Sequence, residues 1–338
     1  MRKYNIPVFV PHRGCPFDCV FCNQKRITGS IKEVIPADVT NTIEEYLTTI
    51  PTENSDIEVA FFGGSFTGIP IDEQSALMER VLPYIKSGRI RGIRLSTRPD
   101  YIDDEILSNL KKYGVTTVEL GVQSMVDSVL KAANRGHTAE QVRYASELIK
   151  KYDISLGLQM MTGLPGDTPE FSRCTAEEII KLKPECVRIY PTLTIKDTFM
   201  EKLYNEGKYV PQTLEEAVEL SKELLLMFEK NNINVIRIGL QPTDEINEGA
   251  SVVAGPFHSS FRELVESSCY YDIIEQKLKS MQGDTFDVYV NDKEVSKACG
   301  NHRSNIINIK KNMGIDIKIK GDKALDKREV RIIAVKKA

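Results

Sequence analysis

Three cysteines lie close together near the start of the chain, in the segment HRGCPFDCVFCNQ. Cys15, Cys19 and Cys22 have the spacing CxxxCxxC, whereas the other four cysteines are scattered along the chain. A structural zinc site would need four ligands, for which His12 is the nearest fourth candidate. Three thiolates alone would instead hold a [4Fe-4S] cluster and leave one iron open for chemistry. Inert buried thiols fit less well, because the neighbouring Pro, Asp, Asn and Gly residues are typical of a turn.

The composition excludes several classes of protein. The chain has 338 residues with 45 Lys plus Arg against 48 Asp plus Glu, and a net charge of -3 does not indicate a generally nucleic-acid-binding protein. No apolar run approaches the roughly 20 residues that a membrane span needs, and the N-terminus lacks a signal-peptide core. Seven cysteines, an odd number, exclude a disulfide framework that uses all of them. We therefore expect a cytoplasmic protein with no membrane span.

Short β-rich runs alternate with amphipathic stretches of helical length after the cysteine segment. The predicted strands are Val8–Val10, Ile57–Phe62, Ile93–Ser96, Thr117–Gly121, Ser155–Thr162, Val187–Pro191 and Val235–Gln241. The predicted helices are Pro36–Ile50, Asp72–Ile85, Asp103–Tyr113, Thr138–Tyr152, Pro169–Leu182, Thr213–Asn231 and Pro256–Met281. This order predicts an α/β fold, a partial (β/α) barrel of the TIM type. The cysteine segment would then lie at the C-terminal mouth of the barrel, where active sites collect.

The pattern divides the chain into three segments. Residues 1–245 are predicted to form the barrel core, 246–284 a helical extension that closes it, and 285–338 a small basic β-rich appendage with the runs FDVYV, NIINI, IDIKIK and VRIIAV. Residues 301–338 hold eleven Lys or Arg and four Asp or Glu. This basic segment would either contact RNA phosphates or form a lysine-rich edge that discourages aggregation between strands.

The CxxxCxxC spacing with Phe21 before the third cysteine resembles the signature of radical S-adenosylmethionine (SAM) enzymes. The resemblance implies a [4Fe-4S] cluster on Cys15, Cys19 and Cys22, whose open iron binds SAM. It also implies an electron donor such as flavodoxin or ferredoxin, whose electron cleaves SAM to methionine and a 5'-deoxyadenosyl radical. That radical then abstracts hydrogen from a substrate.

Several polar residues at predicted strand ends fit SAM in such a family. Gly63, Gly64 and Ser65 match its glycine-rich motif, and glycines allow a close backbone approach. A tight turn after the strand explains the same three residues equally well. Ser96, at the end of the third strand, could reach ribose hydroxyls.

Two further segments narrow the resemblance. GVQS with Gln123 and NRGH with Arg135 resemble oxygen-independent coproporphyrinogen oxidases and the Elongator catalytic subunit, in which the matching residues contact SAM. Gln159 stands where the coproporphyrinogen oxidases have an aspartate. This difference leaves open whether Gln159 contacts the ribose of SAM.

Two residues are candidates for catalysis. Glu119 is a carboxylate in an otherwise apolar strand, where an unpartnered charge is costly. It would either face substrate or SAM in the barrel, or pair structurally with Arg188 or Arg94. Tyr190, at the end of the sixth strand, would either face the substrate or pack in the core.

From Val187 the sequence VRIYPTLTIKDTFMEKLYNEGKY is similar to the radical SAM region of the Elongator catalytic subunit, which acts on tRNA. The resemblance covers about residues 6–280. Only 57 residues follow Met281, too few for the acetyltransferase domain of those relatives, so we expect a short stand-alone form. The leading hypothesis is a radical SAM enzyme, with tRNA or a nucleotide-like molecule among the candidate substrates. The alternatives are an RNA-binding protein that uses the barrel as a platform and a zinc-stabilised structural protein.

Overall fold

The computed structural model describes residues 2–10, 19–23, 34–51, 53–241, 246 and 250–335. Two compact units divide the chain. The first contains Met1–Gln212 and Met227–Phe257, and the second contains Thr213–Leu226 and His258–Ala338. The division of the sequence at residues 245 and 284 stays a prediction.

The first unit is built on a parallel sheet of seven strands. Its strands, with a short ribbon formed by β7 and β9, are β1 Arg2–Val10, β2 Ser55–Gly63, β3 Gly92–Thr97, β4 Val115–Gln123, β5 Ser155–Thr162, β6 Cys186–Pro191, β7 Thr194–Ile195, β8 Asn234–Ile238 and β9 Val252–Ala254. The order in the sheet is β1-β2-β3-β4-β5-β6-β8, and the sheet curls into a half-barrel. The predicted α/β fold with a partial barrel is therefore confirmed.

Helices alternate with the strands along the chain. They are α1 Pro36–Leu47, α2 Ile71–Glu79, α3 Leu82–Lys86, α4 Asp104–Lys112, α5 Asp127–Ala132, α6 Ala139–Lys151, α7 Pro169–Lys181, α8 Phe199–Asn205 and α9 Leu214–Lys230, of which residues 214–226 belong to the second unit. Side-chain caps begin several of them: Asp103 accepts from the N–H of Ile106, and Thr138 forms a capping box with Gln141. The helix predicted over 72–85 is two helices, because Pro83 lacks the backbone N–H that a continuous helix would use.

The two faces of the half-barrel differ in chemistry. On the convex face Val59, Val118, Leu158 and Ile189 are almost fully buried against the helices. On the concave face neighbouring positions carry charged and amide side chains, which a purely structural parallel sheet would not need. No helix in the described part of the chain is long and apolar enough to cross a membrane.

The second unit is a small α/β layer. Its elements are α10 Phe261–Leu278, β10 Thr285–Val290, α11 Val295–Cys299, α12 Ser304–Met313, β11 Asp316–Gly321 and β12 Arg331–Ala334, with the sheet order β11-β10-β12. The prediction of a strand at NIINI is wrong, because this run lies in α12. Ile306, Ile309 and Met313 are three and four residues apart, so a helix places all three against the core around Phe286.

Candidate active site

The second half of the cysteine loop is fixed at the C-terminal edge of the sheet. The N–H of Val20 donates to the carbonyl of Ala133 over 3.1 Å, and its carbonyl accepts from the N–H of Met200 over 2.7 Å. The Val20 side chain is buried in a cluster that includes Val129 and Leu164. Segments that follow β4, β5 and β7 thus hold this loop, so its position depends on the folded half-barrel.

Two of the three proposed cluster ligands lie in this loop. Cys19 is buried and Cys22 is half-buried, and the N–H of Cys22 donates to the carbonyl of Cys19 over 2.9 Å. Cys15 lies outside the described residues. The described residues alone contain no group of three or more His, Cys, Asp or Glu side chains placed to hold a metal ion. The two described thiols are compatible with the expected site but do not complete it.

Arg135 connects the cysteine loop to strand β4. Its Nη1 donates to Cys19 Sγ over 3.6 Å, and its Nη2 donates to the Gly121 carbonyl over 2.8 Å. Its own carbonyl accepts from Arg98 Nη2 over 2.7 Å, and Arg98 forms a two-point ion pair with Asp100. Among the described residues, Arg135 Nε is buried without a hydrogen-bond partner. The guanidinium therefore places a positive charge beside the sulfur and keeps a donor for another acceptor.

Gln123 ends strand β4 in an unusual backbone conformation. The pairing with β5 shifts register between Gly121 and Gln123, and Gln123 has a φ of 65°. Its Oε1 is buried with no hydrogen-bond partner among the described residues. A left-handed conformation and an unpaired buried carbonyl are both costly, and a bound ligand with an N–H or O–H donor would remove the second cost.

The predicted glycine motif forms a close backbone approach. Gly63 has a φ of 113°, and a Cβ there would lie 2.6 Å from the Val10 carbonyl oxygen. The N–H of Gly64 donates to that carbonyl over 3.0 Å. Ser65 Oγ lies 2.8 Å from Thr97 Oγ1 and accepts from the N–H of Arg98 over 3.1 Å. The Ser65 hydroxyl thus links the ends of β2 and β3. Gly63 allows the backbones of β1 and β2 to approach closely at the same edge of the sheet.

A network of charged side chains crosses the concave face below these strand ends. Glu119 Oε2 accepts from Arg188 Nε over 2.5 Å, and Glu119 Oε1 accepts from Arg94 Nη1 over 2.8 Å. Gln159 Nε2 donates to Glu119 Oε2 over 3.0 Å, and Arg94 Nε donates to Glu58 Oε2 over 3.0 Å. We call Glu58, Arg94, Glu119, Gln159 and Arg188 the ion-pair floor.

The electrostatics of the floor keep its carboxylates ionised. Burial alone would raise the pKa of Glu119, but hydrogen bonds and charge from Arg188 and Arg94 hold that pKa below its usual value. Burial also opposes ionisation of Glu58, and its hydrogen bond from Thr116 and the charge of Arg94 lower its pKa. Glu119 is 1% exposed and accepts hydrogen bonds on both oxygens. Its contacts are those of the structural pairing that the sequence offered as one alternative.

The remaining predicted residues lie on or next to the floor. Tyr190 is half-buried, and its hydroxyl lies 3.5 Å from Arg188 Nη1. Ser96 pairs with Glu119 in the register of β3 and β4 and is partly exposed on the concave side. The Gln159 amide belongs to the floor through its bond to Glu119. The folded half-barrel therefore brings together Ser96, Glu119, Gln159 and Tyr190.

The sequence matches two family profiles over most of its length. Residues 9–174 match the radical SAM superfamily, and residues 184–271 match the radical SAM C-terminal domain. The chain belongs to the radical SAM superfamily. It is a radical SAM enzyme, and the superfamily implies a [4Fe-4S] cluster and SAM as cofactors.

Similar proteins narrow the branch of this superfamily. A tRNA uridine(34) acetyltransferase from Methanocaldococcus jannaschii is 30% identical over 196 residues, which are 52% of this chain and 36% of the relative. Elongator complex protein 3 from Homo sapiens is 33% identical over 141 residues, 40% of this chain and 25% of that protein. The chain thus spans about a third or less of the length of these relatives.

A solved structure shows the same fold. Archaeal Elp3 from Methanocaldococcus infernus, with residues 1–46 deleted, superimposes with a TM-score of 0.64 at 24% sequence identity. The match covers 81% of this chain and 63% of that one. The half-barrel architecture of this radical SAM protein is therefore shared with the archaeal relative.

Sequence reasoning did not identify several residues of this radical SAM site. Arg98 holds the Arg135 backbone, and Thr97 holds Ser65. His137 Nε2 donates to the Val122 carbonyl over 3.1 Å and so supports the strand end that carries Gln123. The sequence contains a signal that could have found Thr97 and Arg98, a polar residue at the last position of a β-strand or just after it, but none of this kind for His137.

His137 gives a pH-dependent stability that can be measured. Burial and the charges of Arg135 and Arg98 lower the pKa of His137 to about 3. The unfolded chain takes up a proton near pH 6.5, whereas the folded chain does not, so stability falls as pH drops from about 6.5 to about 3, by up to roughly 1.4 kcal/mol per pH unit from this group. We expect His137→Asn to remove this slope in denaturant titrations of the metal-free protein. His302→Asn, at an exposed histidine, is the control, and an unchanged slope in His137→Asn would contradict the assignment.

Proposed function

We propose that Cys15, Cys19 and Cys22 hold the cluster and that SAM binds beside it, across the ends of β2 to β5. The proposed SAM contacts are Gly63, Gly64, Ser65, Ser96, Gln123, Arg135 and Gln159. The observation that carries the proposal is Arg135, which contacts Cys19 Sγ and the end of β4 at the same time. When bound, the cluster and SAM supply a 5'-deoxyadenosyl radical by reductive cleavage.

The described residues can position SAM and keep water away from it. Arg135 Nε is a buried donor suited to a carboxylate, and Gln123 Oε1 is a buried acceptor suited to an ammonium or hydroxyl group. Gly63 allows β1 and β2 to approach closely at their ends, because any side chain there would clash with the Val10 carbonyl. The buried cluster around Val20 closes one side of the loop with apolar side chains, which excludes water.

Glu119 and Tyr190 have different proposed roles. Glu119 accepts hydrogen bonds from Arg94, Arg188 and Gln159, so we propose that it positions these side chains without itself reacting. Tyr190 is half-buried on the concave side, so we retain it as the residue proposed to face the substrate.

Gln123→Ala tests the proposed SAM site. The change removes the unpaired buried carbonyl, so the affinity for SAM should fall by about tenfold, the value of one hydrogen bond to a charged group. Equilibrium dialysis of labelled SAM with the cluster-loaded protein measures the dissociation constant. Gln141→Ala, at the cap of α6, is the control and should bind SAM like the wild type. Equal affinities for wild type and Gln123→Ala would remove Gln123 from the site.

We propose tRNA, or a nucleotide-like molecule, as the substrate. The support is similarity to proteins named tRNA uridine(34) acetyltransferase, of which this chain spans about a third. An electron donor such as flavodoxin or ferredoxin and a cytoplasmic location belong to the same proposal. If it is correct, tRNA deuterated in its uridines will transfer deuterium into 5'-deoxyadenosine, which mass spectrometry detects. Unlabelled 5'-deoxyadenosine in the presence of that tRNA would contradict direct attack on uridine.

A further inference from the structure

Strand β8 continues the concave face beyond the ion-pair floor. Arg237 on β8 pairs in register with Arg188 on β6, and Ile238 pairs with Ile189. Ile189 and Ile238 are buried on the convex side, so Arg237 lies on the same side of the sheet as Arg188. Arg237 is partly exposed there. A second arginine thus stands beside the floor, on the last strand of the half-barrel.

Within the described residues, Arg237 differs from the floor arginines in having no partner. Arg188 and Arg94 are both bound by carboxylates, whereas Arg237 makes no ion pair or hydrogen bond within the part of the chain that the structure describes. Among the described residues, the floor and Arg237 together therefore hold two carboxylates, Glu58 and Glu119, and three guanidinium groups. At its rim Arg91 pairs with both Asp56 and Glu58, so Arg91 and Asp56 add one charge of each sign. A positive charge in excess, next to a network of low solvent exposure, attracts an anion.

The opposite side of the concave face carries exposed aromatic surface. Phe9 on β1 is 48% exposed, and it pairs in register with Phe62 on β2. Its neighbours Val8 and Val10 are buried on the convex side, so Phe9 faces the concave side. The Arg188 guanidinium lies 5.4 Å from the centroid of the Phe62 ring. Inward side chains from β2 and β6 therefore meet across the half-barrel, and apolar and cationic surfaces face the same space.

We propose that Arg237 binds the anionic group of the substrate, a phosphate or carboxylate, while Phe9 and Phe62 contact a flat apolar part of the same molecule. This inference rests on the proposed function, because it takes the concave face as the substrate site. The SAM carboxylate is a second source of the same chemistry. Arg135 already offers a free buried donor to SAM next to Cys19, so the substrate is the source that we assign to Arg237.

The test uses inorganic phosphate as the probe and the cluster-loaded protein with saturating SAM. Phosphate is titrated at constant ionic strength, and the thermal midpoint of the protein reports binding. We expect the midpoint of the wild type to rise with phosphate, and Arg237→Gln to need at least about tenfold more phosphate for the same rise. Arg237→Lys should recover most of the response. Arg80→Gln, at an exposed arginine after α2, is the control and should respond like the wild type.

Two other measurements distinguish failure of the Arg237 assignment from failure of the proposed function. SAM affinity by equilibrium dialysis should be the same in Arg237→Gln and wild type, and a parallel loss of SAM affinity would assign Arg237 to SAM and overturn the proposal. An equal phosphate response in Arg237→Gln and wild type, or no response in either, would also overturn it. Formation of 5'-deoxyadenosine without substrate should persist in the control Arg80→Gln. Its absence in the wild type as well would instead count against the proposed function.

Discussion

Cys19→Ala should lower the rate of 5'-deoxyadenosine formation by at least about a thousandfold, to the background of the assay. Cys19 is buried in the loop held by Ala133 and Met200, and its sulfur accepts a hydrogen bond from Arg135. Removing this thiolate leaves the cluster without one of its proposed protein ligands. The measurement is single-turnover SAM cleavage by anaerobically reconstituted protein, with iron and sulfide determined in the same samples.

Cys174→Ala provides the matched control for that experiment. Cys174 is exposed on α7, remote in sequence from the loop, and its loss should change neither iron content nor rate. Cys22→Ala should behave like Cys19→Ala. A Cys19→Ala protein that keeps a full cluster and cleaves SAM at the wild-type rate would contradict the ligand assignment.

Glu119→Ala should lower the free energy of unfolding by about 3–5 kcal/mol, because it leaves two buried guanidinium groups without their shared carboxylate. The side chains of Arg94 and Arg188 are 11% and 12% exposed, so water cannot replace the lost partner fully. Urea unfolding of the metal-free protein, followed by circular dichroism, measures the change.

Glu140→Ala is the control for the buried network. Glu140 pairs with Arg143 on the surface of α6, and its side chain is 82% exposed. Such a pair is worth about 0–1 kcal/mol, so the control should unfold almost like the wild type. A loss below about 1 kcal/mol in Glu119→Ala as well would show that the floor is not a stabilising network.

Most of the half-barrel could be predicted from the sequence because each strand and helix has its own local pattern. The alternation of apolar strands with amphipathic helices is visible residue by residue, and so are caps such as Thr138. The run NIINI was ambiguous, since its alternation over five residues fits a strand while Ile306, Ile309 and Met313 fit a helix face. Packing against Phe286 decides between them, and that contact is not local.

The site was predictable only in part, because many of its contacts join residues that are far apart in the sequence. The cysteine spacing and the glycine motif are local patterns that carry their chemistry in the sequence. The link between Cys19 and Arg135 joins residues 116 positions apart, and the bond from Arg188 to Glu119 spans 69 positions. Strand register decides which arginines are neutralised, and that Arg237 has no partner among the residues the structure describes, and a single sequence does not define this register.

The most direct test of the central claim is reductive cleavage of SAM by the purified protein. The chain should be reconstituted anaerobically, shown to contain about four iron and four sulfide per polypeptide, and mixed with SAM and dithionite. We predict equimolar 5'-deoxyadenosine and methionine, formed only when the reductant is present. A fully loaded protein that forms no 5'-deoxyadenosine, or a purified protein that holds zinc without sulfide, would contradict the radical SAM account.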